Sequence, residues 1–116
     1  MLDGVVTTSR RILDLMSEAD LQRAVIDLAH LYGWRVSHQL RVHDAAGRHR
    51  TPVQGDVGGP DLLLARRGVV LHVELKSERG RLGPGQAEWG EAIGETWRLW
   101  RPRDMSEIVA TLGGDA

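Results

Sequence analysis

One stretch, Gly58 to Gln86, constrains this chain more than any other. It reads G-G-P-D-L-L-L-A-R-R-G-V-V-L-H-V-E-L-K-S-E-R-G-R-L-G-P-G-Q. Its middle reads as a β-hairpin. Pro60 and Asp61 open the first strand, and Leu62, Leu63, Leu64 and Ala65 continue it. Arg66, Arg67 and Gly68 turn the chain. Val69 to Lys76, rich in β-branched residues, bring it back. Side chains on a strand alternate between its two faces. Val69, Leu71, Val73 and Leu75 therefore share an apolar face, and Val70, His72, Glu74 and Lys76 share the other. Asp61 and Glu74 are equidistant from the Arg67–Gly68 bond, so an even-length loop centred there sets them opposite one another. Facing carboxylates repel unless something compensates them. A hard divalent cation is the common compensation, and Mg²⁺ in such sites works on phosphates. Charged residues on a strand are ordinarily just a solvated face. Here two acids and a lysine converge, and Asp61, Glu74 and Lys76 read as a metal site with a cation beside it.

The length, 116 residues, suits one domain with one core, and the apolar fraction of 41% is that of a globular protein. The chain has no cysteine, which excludes disulfides, thiolate zinc sites and a thiol nucleophile. No apolar run is long enough to cross a bilayer, and the N-terminus lacks a signal-peptide core. A soluble intracellular protein without a membrane partner is expected. The formal net charge of −1 does not mark a nucleic-acid binder. Its distribution is more informative. From Trp34 to Arg103 there are twelve Lys or Arg against eight Asp or Glu, so the middle of the chain can face a phosphate backbone.

In chain order, residues 1–16 read as an arm or a short helix that Ser9 could cap. Residues 17–113 read as the domain. Ser17 with Asp20 forms a weak capping box. Leu21, Ala24, Val25, Leu28, Leu31 and Tyr32 follow at helical spacing, giving a helix from Glu18 to Tyr32 that stops at Gly33. Trp34 to Val42 reads as a first strand and Arg48 to Val53 as a short second one. The segment Arg41 to Gly59 is long for a connection, and such loops are often functional. Its Arg41, His43, Arg48, His49 and Arg50 suit phosphate contacts. No flanking Cys or His pair supports metal ligation by His43 and His49. Arg79 and Arg81 extend the basic character past the hairpin. Pro84 starts a helix in which Gln86, Trp89 and Ile93 share a face, and Gly90 and Gly94 let a neighbour approach. Thr96 to Arg101 is a strand, with tryptophans that fill the core rather than stack on bases. Asp104 and Glu107 cap a last helix ended by Gly113 and Gly114. The order predicts an α/β (α+β) fold, a mixed sheet with flanking helices.

With these residues in view, the chain resembles the VRR-NUC branch of the PD-(D/E)xK nucleases, in its compact stand-alone form common in phages and bacteria. The carrying residues span nearly everything from Ser17 to Leu112. They are Glu18 and Gln22, then G-W-R-V at Gly33 to Val36 with His38, then G-P-D-L at Gly59 to Leu62 and V-E-L-K at Val73 to Lys76. R-L-G-P-G-Q at Arg81 to Gln86, Trp89 and W-R-P at Trp100 to Pro102 complete them. Glu-x-Lys alone is a weak motif; the ordered set is specific. Gly83 and Gly85 depart from the Ser and Glu frequent in the family, which should weaken the helix start.

The resemblance implies a restriction endonuclease-like core and a Mg²⁺- or Mn²⁺-dependent endonuclease. Asp61, Glu74 and the Leu75 carbonyl correspond to the metal ligands, with Glu18 reaching a second metal or a water of the first. Lys76 corresponds to the catalytic lysine and Gln86 to an accessory residue holding Lys76 or a phosphate oxygen. Arg41, Arg48, Arg50, Arg79 and Arg81 are the residues expected against nucleic acid. The implied substrate is DNA, branched like a Holliday junction and cut by a homodimer to leave 5′-phosphates. The implied location is the cytoplasm of a bacterial or phage-infected cell. A non-catalytic DNA-binding or docking module of the same fold and an RNA-processing nuclease are the rival readings.

Overall fold

The computed structural model describes residues 11–38, 42–43, 49–50 and 55–114. Its architecture follows from the hairpin turn. Arg67 and Gly68 both have positive φ, 51° and 81°, as a two-residue turn matched to strand twist requires. Gly68 adopts this freely, whereas a non-glycine residue there costs roughly 1 kcal/mol. The turn pairs Arg66 with Val69, so Arg66 ends strand β4 (Leu62–Arg66) rather than joining the turn, and β5 (Val69–Leu75) returns from it. β1 (Arg35–His38) lies antiparallel on the outer edge of β4, pairing Arg35 with Ala65 and His38 with Leu62. β6 (Trp97–Trp100) lies parallel to β5, pairing His72 with Trp97 and Leu75 with Trp100. The order β1-β4-β5-β6 makes a mixed sheet. The first strand ends at His38, short of the expected Val42. β2 (Val42–His43) and β3 (His49–Arg50) form a separate antiparallel pair instead. Arg41 and Arg48 lie outside the described residues, as does Ser9.

Three longer helices cover the sheet, after a short helix α1 at 11–15. α2 (Glu18–Leu31) begins with the expected box. Ser17 Oγ accepts from Asp20 N–H at 3.0 Å, and Asp20 Oδ2 accepts from Ser17 N–H at 3.3 Å. The Ser17 hydroxyl and then the Ser17 N–H, both beside the Asp20 carboxyl, hold it below the usual range. At the other end Gly33, at φ 85°, lets Trp34 N–H reach Ala29 O at 2.9 Å and Gly33 N–H reach His30 O at 3.1 Å. Leu21, Val25 and Ala29 recur every fourth residue and are buried. They pack with Leu62, Leu64, Leu71, Val73, Leu75 and Trp100 from one sheet face, and with Ile108 and Leu112 of α4 (Met105–Gly113). The expected box at Asp104 differs in direction. Its Oδ2 accepts from Arg101 N–H at 2.8 Å, capping the short 3₁₀ turn Pro102–Asp104 before α4.

Tryptophans close the core. Trp34 and Trp100 are buried, and Trp34 Nε1 donates to Leu112 O at 2.8 Å. Arg66 reinforces that corner. Its guanidinium lies 4.7 Å from the Trp34 ring centre and donates to Tyr32 O at 3.1 Å, Leu112 O at 2.9 Å and Gly114 O. A cation on the last carbonyls of α4 suits the helix dipole. α3 (Pro84–Ile93) covers the other sheet face near β6. Gly90 is the point of closest approach, since a Cβ there would lie 2.7 Å from the Trp97 ring. Gly94 plays a different part from the one expected: its φ of 80° ends the helix, and nothing crowds it. Gly90→Ala should therefore destabilise the domain by about 1–3 kcal/mol through overpacking, read as a lower urea midpoint; an unchanged midpoint would show that the ring can give way.

Candidate metal centre

The register that starts at the turn ends at the acids. One pair beyond Leu62 and Val73, Asp61 stands beside Glu74 at the open end of the hairpin. Asp61 Oδ2 accepts from Leu75 N–H at 2.8 Å, a main-chain donor that β4 no longer reaches. Within a strand the N–H and C=O of one residue point to the same edge. The Leu75 carbonyl is thereby directed to the Asp61 side, beyond the end of the ladder. Glu74 is only 1% exposed. Its Oε2 accepts from Gln86 Nε2 at 3.1 Å, while Oε1 is buried without a hydrogen-bond partner. Glu18, on the first turn of α2, supplies the third carboxylate. One oxygen from each of Glu18, Asp61 and Glu74 lies within 4.8 Å of the others.

This crowding shows in the titration of Glu74, which is pushed up from an ordinary 4.5 to about 9. Removal from water is the largest cause. The neighbouring Asp61 carboxylate, to which a protonated Glu74 would donate, comes next, followed by the Asp61 charge; Lys76 opposes the rise, and Glu18 adds to it. Such a group needs a proton or a cation. The donor set is all oxygen, with one orphaned buried oxygen among three carboxylates, and it suits a hard divalent ion such as Mg²⁺ or Mn²⁺.

Lys76 follows the last residue of β5, two positions after Glu74, and its N–H donates to Trp100 O at 3.1 Å. Among the described residues its half-buried side chain forms no ion pair. A compositional signal at this position escapes any reading by motif. Of the fifteen Lys and Arg residues, Lys76 is the only lysine. A chain that uses arginine everywhere else has here its one ammonium, a compact point charge in place of a guanidinium fork.

Gln86 is engaged differently from the expected contact with Lys76 or phosphate. Both ends of its amide are committed: Oε1 accepts from Gly83 N–H at 2.7 Å, and Nε2 donates to Glu74. The first of these bonds also explains how α3 starts without a serine cap. Gly85 is equally constrained. A Cβ on it would lie 3.0 Å from Val57 O, and one on Gly58, at φ 92°, would lie 2.8 Å from the Gly85 carbonyl carbon. The paired glycines let the segment before Asp61 lie against the first turn of α3, where Trp89 Nε1 donates to Val57 O at 3.1 Å.

Of the expected nucleic-acid residues, Arg79 and Arg81 have described side chains. Arg81 is exposed beyond Lys76. Arg79 is exposed but paired with Asp14 of α1 at 3.1 Å. Arg50 lies in β3, and its side chain is outside the described portion. Motif reading passed over Arg101, Glu78 and Arg103, which grip the turn after Lys76. W-R-P was visible, but a guanidinium directed at main-chain carbonyls leaves no spacing signature. Among the described residues no helix is long and apolar enough to cross a membrane. In comparisons with known proteins, the chain matches no family model, no curated protein and no solved structure.

Proposed function

We propose that this chain is a divalent-metal-dependent nuclease, a DNA endonuclease selective for branched structures such as Holliday junctions. The observation that carries the reading is Glu74 Oε1, a buried carboxylate oxygen without a hydrogen-bond partner beside two further carboxylates. Asp61, Glu74 and the Leu75 carbonyl are the ligands, with Glu18 as a further one. Mg²⁺ or Mn²⁺ held there would supply Lewis-acid stabilisation of a phosphate and a bound water of lowered pKa. The chain's own residues do the rest. Asp61, tied to Leu75 N–H, and Glu74, tied to Gln86, stay oriented without reorganisation. Lys76, on the same strand end, orients the attacking water and takes part in its deprotonation, or neutralises charge gathering on the phosphate. Its standing as the sole lysine supports such a proton-handling role.

The resemblance of the ordered motifs supports DNA as substrate, and a homodimer would match the two-fold symmetry of a four-way junction. Arg81, exposed five residues after Lys76, would meet the backbone. The test is a panel of labelled four-way junctions, flaps, duplexes, single strands and RNA strands, each with Mg²⁺, Mn²⁺ or EDTA. Cutting by wild type with metal, and none with EDTA or with Glu74→Ala, is expected. Equal cutting by wild type and Glu74→Ala, or cutting in EDTA, would sink the mechanism. DNA retention without turnover, unchanged by Lys76→Ala, would favour the binding module. Cutting confined to RNA would redirect the reading to RNA processing.

A further inference from the structure

A lysine at the end of a strand has a long, flexible stem, and holding its ammonium in one place requires a wall. Lys76 stands where the ladder stops. Its main chain is fixed by the bond to Trp100 O, but the residues that follow leave the sheet in a turn, closed by Gly80 N–H on Ser77 O at 3.2 Å. Arg101, the residue after Trp100, is directed into that turn. Its Nη1 donates to Ser77 O at 2.7 Å, to Gly80 O at 2.7 Å and, more weakly, to Glu78 O at 3.4 Å. Bonds from an ionised donor are the stronger kind. Arg103 grips the same turn from outside: its N–H donates to Glu78 Oε1 at 2.7 Å and its Nη2 to Glu78 O at 2.9 Å. The turn in its place flanks the lysine. A Cβ built on Gly80 would lie 3.6 Å from Lys76 Cδ, an ordinary contact distance, so the Gly80 main chain passes beside the methylene stem about one carbon away.

We propose that Arg101 is a positioning residue for Lys76, acting through the Ser77–Gly80 turn; the inference rests on Lys76 serving the cleavage reaction. Arg101 fixes the turn by three carbonyls, the turn bounds the Lys76 stem, and the stem aims the ammonium toward the carboxylates. A guanidinium that only held the fold together would affect stability and leave the lysine's ordering and the turnover of folded protein unchanged.

Two variants and two readouts separate these roles. Arg101→Met removes the donors at similar length, and Arg101→Lys keeps an ammonium that can still reach the Ser77 and Gly80 carbonyls. In Arg101→Met, kcat should fall about ten- to a hundred-fold, the range expected for a misplacement of about 1 Å. KM for DNA and calorimetric Mn²⁺ affinity should stay within a factor of about two, and Arg101→Lys should recover most of the loss. The second readout needs neither metal nor substrate. Because Lys76 is the only lysine, isotope-labelled lysine gives a single side-chain NMR signal. In wild type its two ε protons should be inequivalent; in Arg101→Met they should merge at the free-lysine position. Should Arg101→Met fail to fold, Arg101→Gln, uncharged and shorter but still polar, carries both readouts without adding a second lysine. An unchanged lysine signal, with a kcat loss no larger than the loss of folded protein, overturns the proposal. If wild type cuts nothing, the nuclease reading fails, and the lysine signal still decides whether Arg101 orders Lys76.

Discussion

Without divalent metal at pH 8, the Glu74→Gln protein should melt above wild type, while losing Mn²⁺ binding and cleavage altogether. The cause is the environment of Glu74, 1% exposed and titrating at about 9 instead of 4.5. An acid whose folded pKa is raised takes up a proton on folding wherever the pH lies between the two values. Below about 4.5 both states hold the proton and the group imposes no penalty. Between 4.5 and about 9 wild type loses stability as the pH rises, by up to about 1.4 kcal/mol per pH unit. Glutamine has the shape of the protonated acid and does not titrate. Its carbonyl can still accept from Gln86, and its amide can donate to Asp61. Thermal melts in EDTA from pH 5 to 9 should therefore show a falling midpoint for wild type and a flatter curve for Glu74→Gln. Added Mn²⁺ should raise the wild-type midpoint by mass action and leave the variant unmoved. Parallel pH curves, or equal stabilisation of both proteins by Mn²⁺, would remove Glu74 from the site.

The second large effect concerns the lysine. Lys76→Met should lower kcat roughly 10²- to 10⁴-fold, the range for loss of a positioned proton-handling group. Mn²⁺ affinity should persist, because Asp61, Glu74 and Glu18 remain. Lys76→Arg is the sharper variant. It restores the charge but not a group that can lose its proton, so it should stay within about tenfold of Lys76→Met. Full activity in Lys76→Arg would mean that charge alone is used and that the attacking water is deprotonated elsewhere. Lys76→Met also removes the positive charge that lowers the Glu74 pKa. The carboxyl should then titrate still higher and the pH-dependent loss of stability in EDTA should extend further into the alkaline range.

The hairpin was legible because its information is local. A glycine-containing turn and strand alternation are enough to bring Asp61 beside Glu74 across β4 and β5. The α2 cap was legible for the same reason, since Ser17 and Asp20 are three residues apart. What pattern could not reach was tertiary. Nothing local says that β1 pairs with β4, or that the first strand stops at His38. Gln86 lies on a face shared with Trp89, which permits several partners, and only packing of α3 against the hairpin selects Glu74. Gly85 looks like a defect within its helix and becomes intelligible only beside Gly58, on a segment remote in sequence. Arg66 and Arg101 each bond main-chain carbonyls, and every residue carries a carbonyl, so no residue type in the sequence announces the partner.

The hairpin also gives the molecule an electric axis. Arg66 and Arg67 mark its turn, while Asp61 and Glu18 mark its open end, where Glu74 holds its proton below about pH 9 until a metal displaces it. β5 joins the two ends with seven residues, six steps of about 3.3 Å that span about 20 Å. In the metal-free molecule this separation is a dipole, and a polyanion approaching from solution is drawn toward the arginine end and turned from the carboxylates. A divalent cation that displaces the Glu74 proton adds one net positive charge at the negative pole and weakens the dipole. Metal loading would then govern how the molecule is oriented during encounter as well as what it does afterwards. That contribution to the association rate should weaken as salt shortens the reach of the field.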